Sequence, residues 1–303
     1  ALTAQAPFTT PVIIITSHWP GKIIETLPAS AIDRLNGPPA TVVNRHGRGS
    51  VVLICEHASH FIPPAYAGLG LSPTDQTRHI GWDIGALGLA MELANVLDAP
   101  LVHANYSRLL LDLNRPVDAH DLIVLQSEDT RVPGNENISA AERELRIQRI
   151  YAPFHRELDA LIDQRLQAGL ATSVVSIHSF TPRYHDSERP WHVGVISQND
   201  RTMADAMLDS LRANAGLCVG DNLPYGPQDG VFHSLARHGE ARGLHGAMIE
   251  VRNDLLGDEA GQEPFTLDAV EVRLDGGPRN LGAWHAGLAC LAVQAHFQFV
   301  GET

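Results

Sequence analysis

The sequence predicts an α/β fold with three αβα layers around a mostly parallel sheet. Several short apolar runs have the length and composition of strands buried on both faces. Segments with helical spacing of apolar residues separate these runs, which is typical of a sheet covered by helices on both sides. No convincing linker interrupts the pattern. We therefore expect a single domain over residues 49–303, with residues 1–48 as an N-terminal arm packed on it.

The predicted elements alternate along the chain. The predicted strands lie at 12–15, 51–55, 100–104, 109–113, 173–177, 192–197 and 247–249, and the predicted helices at 83–97, 139–167, 202–213 and 281–297. The long second helix starts with a capping box, because Ser139 is followed three residues later by Glu142.

Charge and composition narrow the kinds of partner. The formal net charge of −13 disfavours nucleic acids and anionic membranes. Three scattered cysteines do not suggest a disulfide framework, and no apolar run approaches the ~20 residues of a membrane span. The start of the chain lacks the basic and long apolar regions of a signal peptide. We expect a cytoplasmic protein, and the sequence leaves open whether it forms a homo-oligomer.

Polar side chains follow four of the apolar runs, where an open α/β sheet places its active site. They belong to Glu56 and His57, to Asp112, Asn114 and Arg115, to His178, and to Glu250 and Arg252. Imidazoles, carboxylates and guanidinium groups together suit a catalytic zinc site that keeps one position for water. A single His after a strand is more often a hydrogen-bonded structural residue. The recurrence of such groups at strand ends is what favours catalysis.

These motifs together resemble the N-formylglutamate amidohydrolase family. In chain order they are Glu56-His57-Ala58-Ser59, Trp82-Asp83, Ser107-Arg108, Asp112-Leu113-Asn114-Arg115, His178-Ser179 and Glu250-Val251-Arg252. The likeness covers about residues 48–298. It implies a hydrolase that cleaves an N-formyl amino acid, with N-formyl-L-glutamate of histidine degradation as the expected substrate.

A more distant likeness to zinc carboxypeptidases implies a metal site. Residues 176–180 are similar to the strand that carries a zinc-binding His in those enzymes, and residues 111–115 to their Asp-x-Asn-Arg segment. The likeness implies a phosphorylase/hydrolase-like fold with a mixed central sheet. It also implies one Zn²⁺ per chain, bound by His57 and His178, with Asp112 orienting His57.

The third metal ligand has two candidates. Carboxypeptidases place a Glu three residues after their first zinc-binding His, and this position is His60 here. The N-formylglutamate amidohydrolase pattern instead has an Asp at the position of Asp83, which is the favoured candidate. An Asp before a helix is also a common N-cap, so Asp83 has a structural alternative.

The same likenesses imply catalytic and substrate-binding roles. Glu250 would be the general base, and Arg108 would stabilise the oxyanion. Asn114 and Arg115 would bind a carboxylate of a small anionic N-acyl amino acid. Arg252, which lies on the same side of its strand as Glu250, would either bind a second carboxylate or pair with a neighbouring acid.

Two other functions stay open at this point. One is a zinc hydrolase of the same fold that acts on another N-acyl amino acid or on a peptide. The other is a non-catalytic binding protein, against which the presence of Glu250 and Arg115 argues. In the loop at residues 222–226, Tyr225 would either cover the site or pack as a structural residue.

Overall fold

The computed structural model describes residue 35 and residues 37–256 of the 303-residue chain. The predicted strand at 12–15 and the predicted helix at 281–297 lie outside the described residues. Most of the predicted arm at residues 1–48 and the last part of the predicted domain also lie outside them. The division into an arm and one domain therefore stays a prediction.

A seven-stranded mixed sheet forms the centre of the described part of the chain. Its strands are β1 Ala40–Val43, β2 Val51–Cys55, β3 Leu101–Ala104, β4 Ser173–Phe180, β5 Val193–Ile196, β6 Val219–Asp221 and β7 Gly246–Arg252. They lie in the order β1-β3-β2-β4-β7-β5-β6. Strands β3, β2, β4 and β7 run parallel, whereas β1 and the β5–β6 pair run in the opposite direction. The carboxyl ends of β2, β4 and β7 therefore share one edge of the sheet, which is where such folds place their sites.

Helices cover both faces of the sheet. They are α1 Pro73–Gln76, α2 Ala86–Val96, α3 Ala140–Arg146, α4 Ala152–Gln167, α5 Thr202–Arg212 and α6 His233–His238. Apolar side chains of α2 and α5 pack in one buried cluster, and those of α4 and α6 pack in a second cluster. Along β2, Val51 and Leu53 join the first cluster and Val52 and Ile54 the second, as expected for a strand buried on both faces. The predicted three-layer αβα fold with a mixed sheet is confirmed.

Shorter elements connect these helices and strands. Two hairpins pair Gln126–Ser127 with Thr130–Arg131 and Arg183–Tyr184 with Ser187–Glu188. Short 3₁₀ segments lie at Pro64–Gly70, Pro133–Asn135, Pro227–Asp229, Glu240–Arg242 and Asn253–Leu255. Among the described residues, no helix is long and apolar enough to span a bilayer.

Ser139 of the predicted capping box is the N-cap of the long helical segment. The Ser139 hydroxyl accepts a hydrogen bond from the Glu142 backbone N–H at 3.0 Å. Helix α3 continues through one π-helical turn, Ile147–Tyr151, into α4. The edge strands β1 and β6 were not predicted, because they are short and only partly buried and so carry no continuous apolar run.

The prediction of a strand at residues 109–113 was wrong. The four leucines of this segment are buried in the second apolar cluster, but its backbone forms turns and loop contacts. The Leu110 N–H donates to the carbonyl of Ser107, and the Asp112 N–H donates to the carbonyl of Leu122. Burial of a loop therefore explains the apolar run, and the loop turns the Asp112 carboxylate toward the edge of the sheet.

Candidate active site

Neighbouring strands place an imidazole and a carboxylate side by side. His178 of β4 and Glu250 of β7 are paired in register, and both side chains lie on the face that α4 and α6 cover. The strands continue beyond the predicted 173–177 and 247–249, so both residues lie within strands rather than after them. The period of two along a strand therefore decides which way the two groups point.

The loop after β2 supplies a second imidazole, and the loop before α2 supplies a carboxylate. His57 follows β2, and the Asp83 N–H donates to the His57 carbonyl at 2.9 Å. The Asp83 Oδ2 atom lies 2.7 Å from Nδ1 of His178 and 3.3 Å from Nδ1 of His57. The predicted helix at 83–97 begins only at Ala86, after Gly85 has adopted a left-handed φ of 79°. The Asp83 side chain consequently serves the two imidazoles and not the helix N-terminus.

These three residues form a group that can hold a metal ion. One ligand atom each of His57, Asp83 and His178 lies within 4.8 Å of the others, and all three residues are buried. The His60 ring instead packs edge-on against the indole of Trp82, with ring centroids 4.8 Å apart. Of the two candidates for a third ligand, the structure brings Asp83 to the histidines.

The second ring nitrogen of each histidine is also held. Nε2 of His57 lies 2.7 Å from Oδ1 of Asp112, as the sequence predicts. Nε2 of His178 lies 2.8 Å from the Ser176 hydroxyl and 3.2 Å from Oε2 of Glu56. Metal-binding histidines in proteins are oriented in this way, so the donor set fits a bound cation.

Three buried carboxylates in the centre, those of Glu56, Asp83 and Asp112, favour the charged form. Burial acts to raise the pKa of Glu56, but the charge and hydrogen bond of His178 outweigh it and hold the pKa at about 2. Burial likewise opposes ionisation of Asp83 and Asp112, but attraction to His57 and other cationic neighbours keeps both pKa values below the usual range. A divalent cation would compensate this charge.

Glu250 differs from these acids because it is weakly partnered. The side chain is buried, and its Oε2 atom has no hydrogen-bond partner among the described residues. Burial is the main reason that the pKa of Glu250 rises to about 7. A carboxylate with such a pKa is suited to accept and return a proton near neutral pH.

Arg108 is tied to the same centre. Its Nη2 atom donates to Oδ2 of Asp112 at 2.8 Å, and its Nη1 atom lies 3.5 Å from Oδ1 of Asp83. Burial acts to lower the pKa of Arg108, but the charges of these two acids raise it above the usual value. The guanidinium therefore stays charged beside the histidine pair.

Arg115 and Asn114 are held in place by loop atoms. Nε of Arg115 pairs with Oδ2 of Asp121 at 2.8 Å, and Nη1 donates to the Gly230 carbonyl at 2.7 Å. The Asn114 amide is bound at both ends by backbone, since Oδ1 accepts from the Ser234 N–H and Nδ2 donates to the carbonyl of residue 231. Asn114 therefore holds the segment 231–234 in place.

Of the two roles that the sequence offered to Arg252, a second carboxylate site or an ion pair with a neighbouring acid, the structure shows the ion pair. Its Nε atom donates to Oδ1 of Asp254 at 2.8 Å. Its side chain is not among those that line the cavity over the histidines. The structure thus separates Arg252 from the other two predicted arginines, Arg108 and Arg115, which do line the cavity.

A cavity of about 200 Å³ lies over the cluster. Its walls contain the three potential metal ligands, Glu250, Arg108, Arg115 and three aromatic side chains, Phe180, Tyr184 and Tyr225. Burial, followed by the charge of Glu250, raises the pKa of Tyr225 to about 12, so its hydroxyl stays protonated. The volume is below the ~300–1,000 Å³ of pockets for drug-sized molecules, which favours a small substrate.

A family model now identifies the relatives of this chain. The model described as N-formylglutamate amidohydrolase matches residues 49–256. The chain belongs to the N-formylglutamate amidohydrolase family. The sequence-based resemblance is thereby confirmed, and membership in this family identifies the chain as a hydrolase that acts on an amide.

Two solved structures resemble this member of the family. A gene product of Agrobacterium tumefaciens is 38% identical, with a TM-score of 0.73, and the match covers 88% of this chain and 94% of that one. The N-formylglutamate amidohydrolase from Ralstonia eutropha JMP134 is 20% identical, with a TM-score of 0.60 over 87% of this chain and 97% of that one. At 20% identity the second likeness shows the fold alone. No curated protein matches this chain.

Sequence reasoning missed some parts of this amidohydrolase site. Glu56 was quoted as part of a motif, but its contact with His178 was not foreseen. The sequence did indicate that Ser176 is a neighbour of His178. The two residues are two positions apart in a strand and so share one face. The hairpin with Tyr184 carries only two residues per strand, too few for a periodic signal.

Proposed function

We propose that this chain is a zinc-dependent amidohydrolase that converts N-formyl-L-glutamate and water to formate and L-glutamate. The observation that carries the proposal is the buried group of His57, Asp83 and His178 in the same cavity as Glu250. Family membership supports the amide bond as the target, and the size of the cavity supports a small substrate. The proposal includes a place in histidine degradation, as the sequence resemblance implies, and a location in the cytoplasm, as the few scattered cysteines indicate.

The donor set supports zinc as the metal. Two imidazoles and one carboxylate are a common ligand set of catalytic zinc sites, and such sites keep one position open. The zinc would be held by His57, His178 and Asp83, while Asp112 and Glu56 hold the outer nitrogens of the histidines. When bound, Zn²⁺ supplies Lewis acidity at the acyl carbonyl and lowers the pKa of water to ~7.

Glu250 would transfer the protons of the reaction, and Arg108 would stabilise the oxyanion. Glu250 accepts a proton from the attacking water as its oxygen bonds to the formyl carbon, and later donates that proton to the departing nitrogen. The C–N bond breaks at this step, which releases formate and the amine of glutamate. Arg108 stays charged and stabilises the negative oxygen that develops on the formyl group.

Arg115 would bind one carboxylate of the substrate. Asp121 and the Gly230 carbonyl hold two of its nitrogens, and the side chain lines the cavity. This anchoring fixes the guanidinium before substrate arrives, so little rotational freedom is lost on binding. Asn114 would contribute by fixing the loop at 231–234 beside Arg115.

Elemental analysis and a substrate panel test the proposal. We expect about one zinc per chain in the wild type and a large loss in His178→Ala. The zinc-loaded enzyme should release formate from N-formyl-L-glutamate, and Arg115→Met should lose most of this activity. Arg183→Met is the control. It removes the same charge as Arg115→Met, but Arg183 is exposed on the hairpin.

Two results would contradict the proposal. A wild-type chain that does not bind zinc stoichiometrically when supplied would remove the metal assignment. A zinc-loaded chain that cleaves N-acetyl amino acids or peptides, but not N-formyl-L-glutamate, would keep the amidohydrolase and replace the substrate.

A further inference from the structure

A buried arginine lies behind the aromatic wall of the cavity. Arg189 is 8% exposed, and its guanidinium carbon lies 4.5 Å from the ring centroid of Tyr184 and 4.6 Å from that of Tyr225. The ring of Phe180 is 5.9 Å away. Neither the metal cluster nor the proposed chemistry uses this side chain.

The charge of Arg189 has no carboxylate partner in the described part of the chain. Its Nη1 atom is buried and makes no hydrogen bond there. By contrast, Arg108 pairs with Asp112, and Arg115 pairs with Asp121. Because a buried cation without a counter-ion is costly, structures retain one mainly where an anion joins it.

Arg189 does not itself line the reaction cavity, but the three rings it contacts do. Phe180, Tyr184 and Tyr225 line the cavity that also contains Glu250. The Arg189 backbone is fixed at the base of the hairpin, where its N–H donates to the Pro182 carbonyl at 2.8 Å. Tyr184 lies further along the hairpin and is 37% exposed, so its ring can move aside without loss of buried core contacts.

We propose that Arg189 binds the second carboxylate of a dicarboxylate substrate once Tyr184 has moved aside, with Tyr225 still against its guanidinium. This inference rests on the proposed hydrolysis of an N-formyl amino acid and specifies which substrates the site prefers. The first carboxylate binds Arg115, and the formyl group lies over the histidine cluster. Arg189 thus takes the role that the sequence offered to Arg252, which instead pairs with Asp254.

Paired substrates test the assignment. We expect the wild type to cleave N-formyl-L-glutamate with a kcat/KM ten- to a hundredfold above that for N-formyl-L-glutamine, because a charge-assisted hydrogen bond contributes roughly this factor. Arg189→Met should remove this preference, mainly through KM for the acid, and leave the amide almost unchanged. Arg189→Lys keeps the charge and should retain part of the preference. Arg183→Met, on the same hairpin, should keep all of it.

The outcomes separate substrate binding from packing. Equal loss on both substrates in Arg189→Met and Arg189→Lys would assign Arg189 to packing and overturn the inference. A wild type with no preference for the acid would also overturn it. If Arg189→Met does not fold, as judged by thermal unfolding, the acid-to-amide ratio of Arg189→Lys decides the question.

A binding measurement keeps this test independent of the proposed reaction. Calorimetry of the zinc-loaded protein with glutarate and with butyrate compares two carboxylates with one. Tighter binding of glutarate in the wild type, and equal binding in Arg189→Met, would support Arg189 even if no N-formyl substrate were cleaved. Equal binding of both acids by the wild type would reject it. Failure of hydrolysis alone would reject the proposed function and not this subsite.

Discussion

Asp112→Asn is expected to weaken metal binding without removing any metal ligand. The Asp112 Oδ1 atom lies 2.7 Å from Nε2 of His57 and accepts the Asn114 N–H at 2.9 Å, and an Asn oxygen can accept both bonds. The other carboxylate oxygen accepts from Arg108 at 2.8 Å, and here an Asn would present a second donor. The substitution therefore keeps the shape of the site but removes the negative charge behind His57.

The size of the effect follows from this contact. Asp112 is buried, so solvent hardly screens the charge that raises the basicity of the His57 ligand. Loss of such an outer carboxylate typically costs 10–100-fold in metal affinity, or about 1.4–2.7 kcal/mol. Arg108 is partly exposed, so water can solvate the guanidinium when it turns away from the new amide.

Competition with a chelator of known affinity measures this change. Metal-free wild type and Asp112→Asn are titrated with zinc in the presence of the chelator, after thermal unfolding has shown that both are folded. Asp121→Asn is the matched control, because Asp121 also pairs with an arginine but contacts neither histidine of the cluster. A zinc affinity of Asp112→Asn within threefold of the wild type, or an equal loss in Asp121→Asn, would refute the reasoning.

Four further predictions concern catalysis, its pH dependence, stability and the third ligand. Glu250→Gln should keep the metal but lower kcat about 10²–10⁴-fold, and near-normal turnover would exclude Glu250 as the base. In the wild type, a bound cation lowers the pKa of Glu250 from about 7, so the fall of kcat/KM on acidification should lie below pH 7. Asn114→Ala leaves the Ser234 N–H and a loop carbonyl unpaired. It should lower the free energy of unfolding, measured by urea denaturation, by about 2–4 kcal/mol. Unchanged stability with a raised KM would instead assign Asn114 to substrate binding. His60→Ala should keep stoichiometric zinc and Asp83→Ala should lose it, and the opposite result would exchange the two assignments.

Local patterns in the sequence determined the layers of the fold and most of the chemical groups. The run Val51–Cys55 is apolar throughout, and the structure forms a strand with the same bounds because both of its faces are buried. The N-cap at Ser139 likewise depends on residues three positions apart. His57, His178 and Glu250 could be singled out because they lie next to, or just beyond, apolar runs whose carboxyl ends meet at one edge.

Only the tertiary structure decided which of these groups meet. Asp83 reaches the histidines, and His60 does not, because the turn at Gly85 and the packing of His60 on Trp82 orient side chains that sequence spacing leaves free. The leucines at 109–113 predict burial equally well for a strand and for a loop, and only distant contacts distinguish the two.

The partners of the arginines were decided in the same way. Arg252 has an acid two residues away in sequence, whereas Arg189 is buried among the nearby rings of Phe180 and Tyr184 and the distant ring of Tyr225. Periodicity reports which face of an element a residue occupies, but the charge balance of a site depends on groups brought together from distant parts of the chain. For this reason the sequence alone could specify the kind of chemistry, while the choice of ligand and of anion-binding residue required the fold.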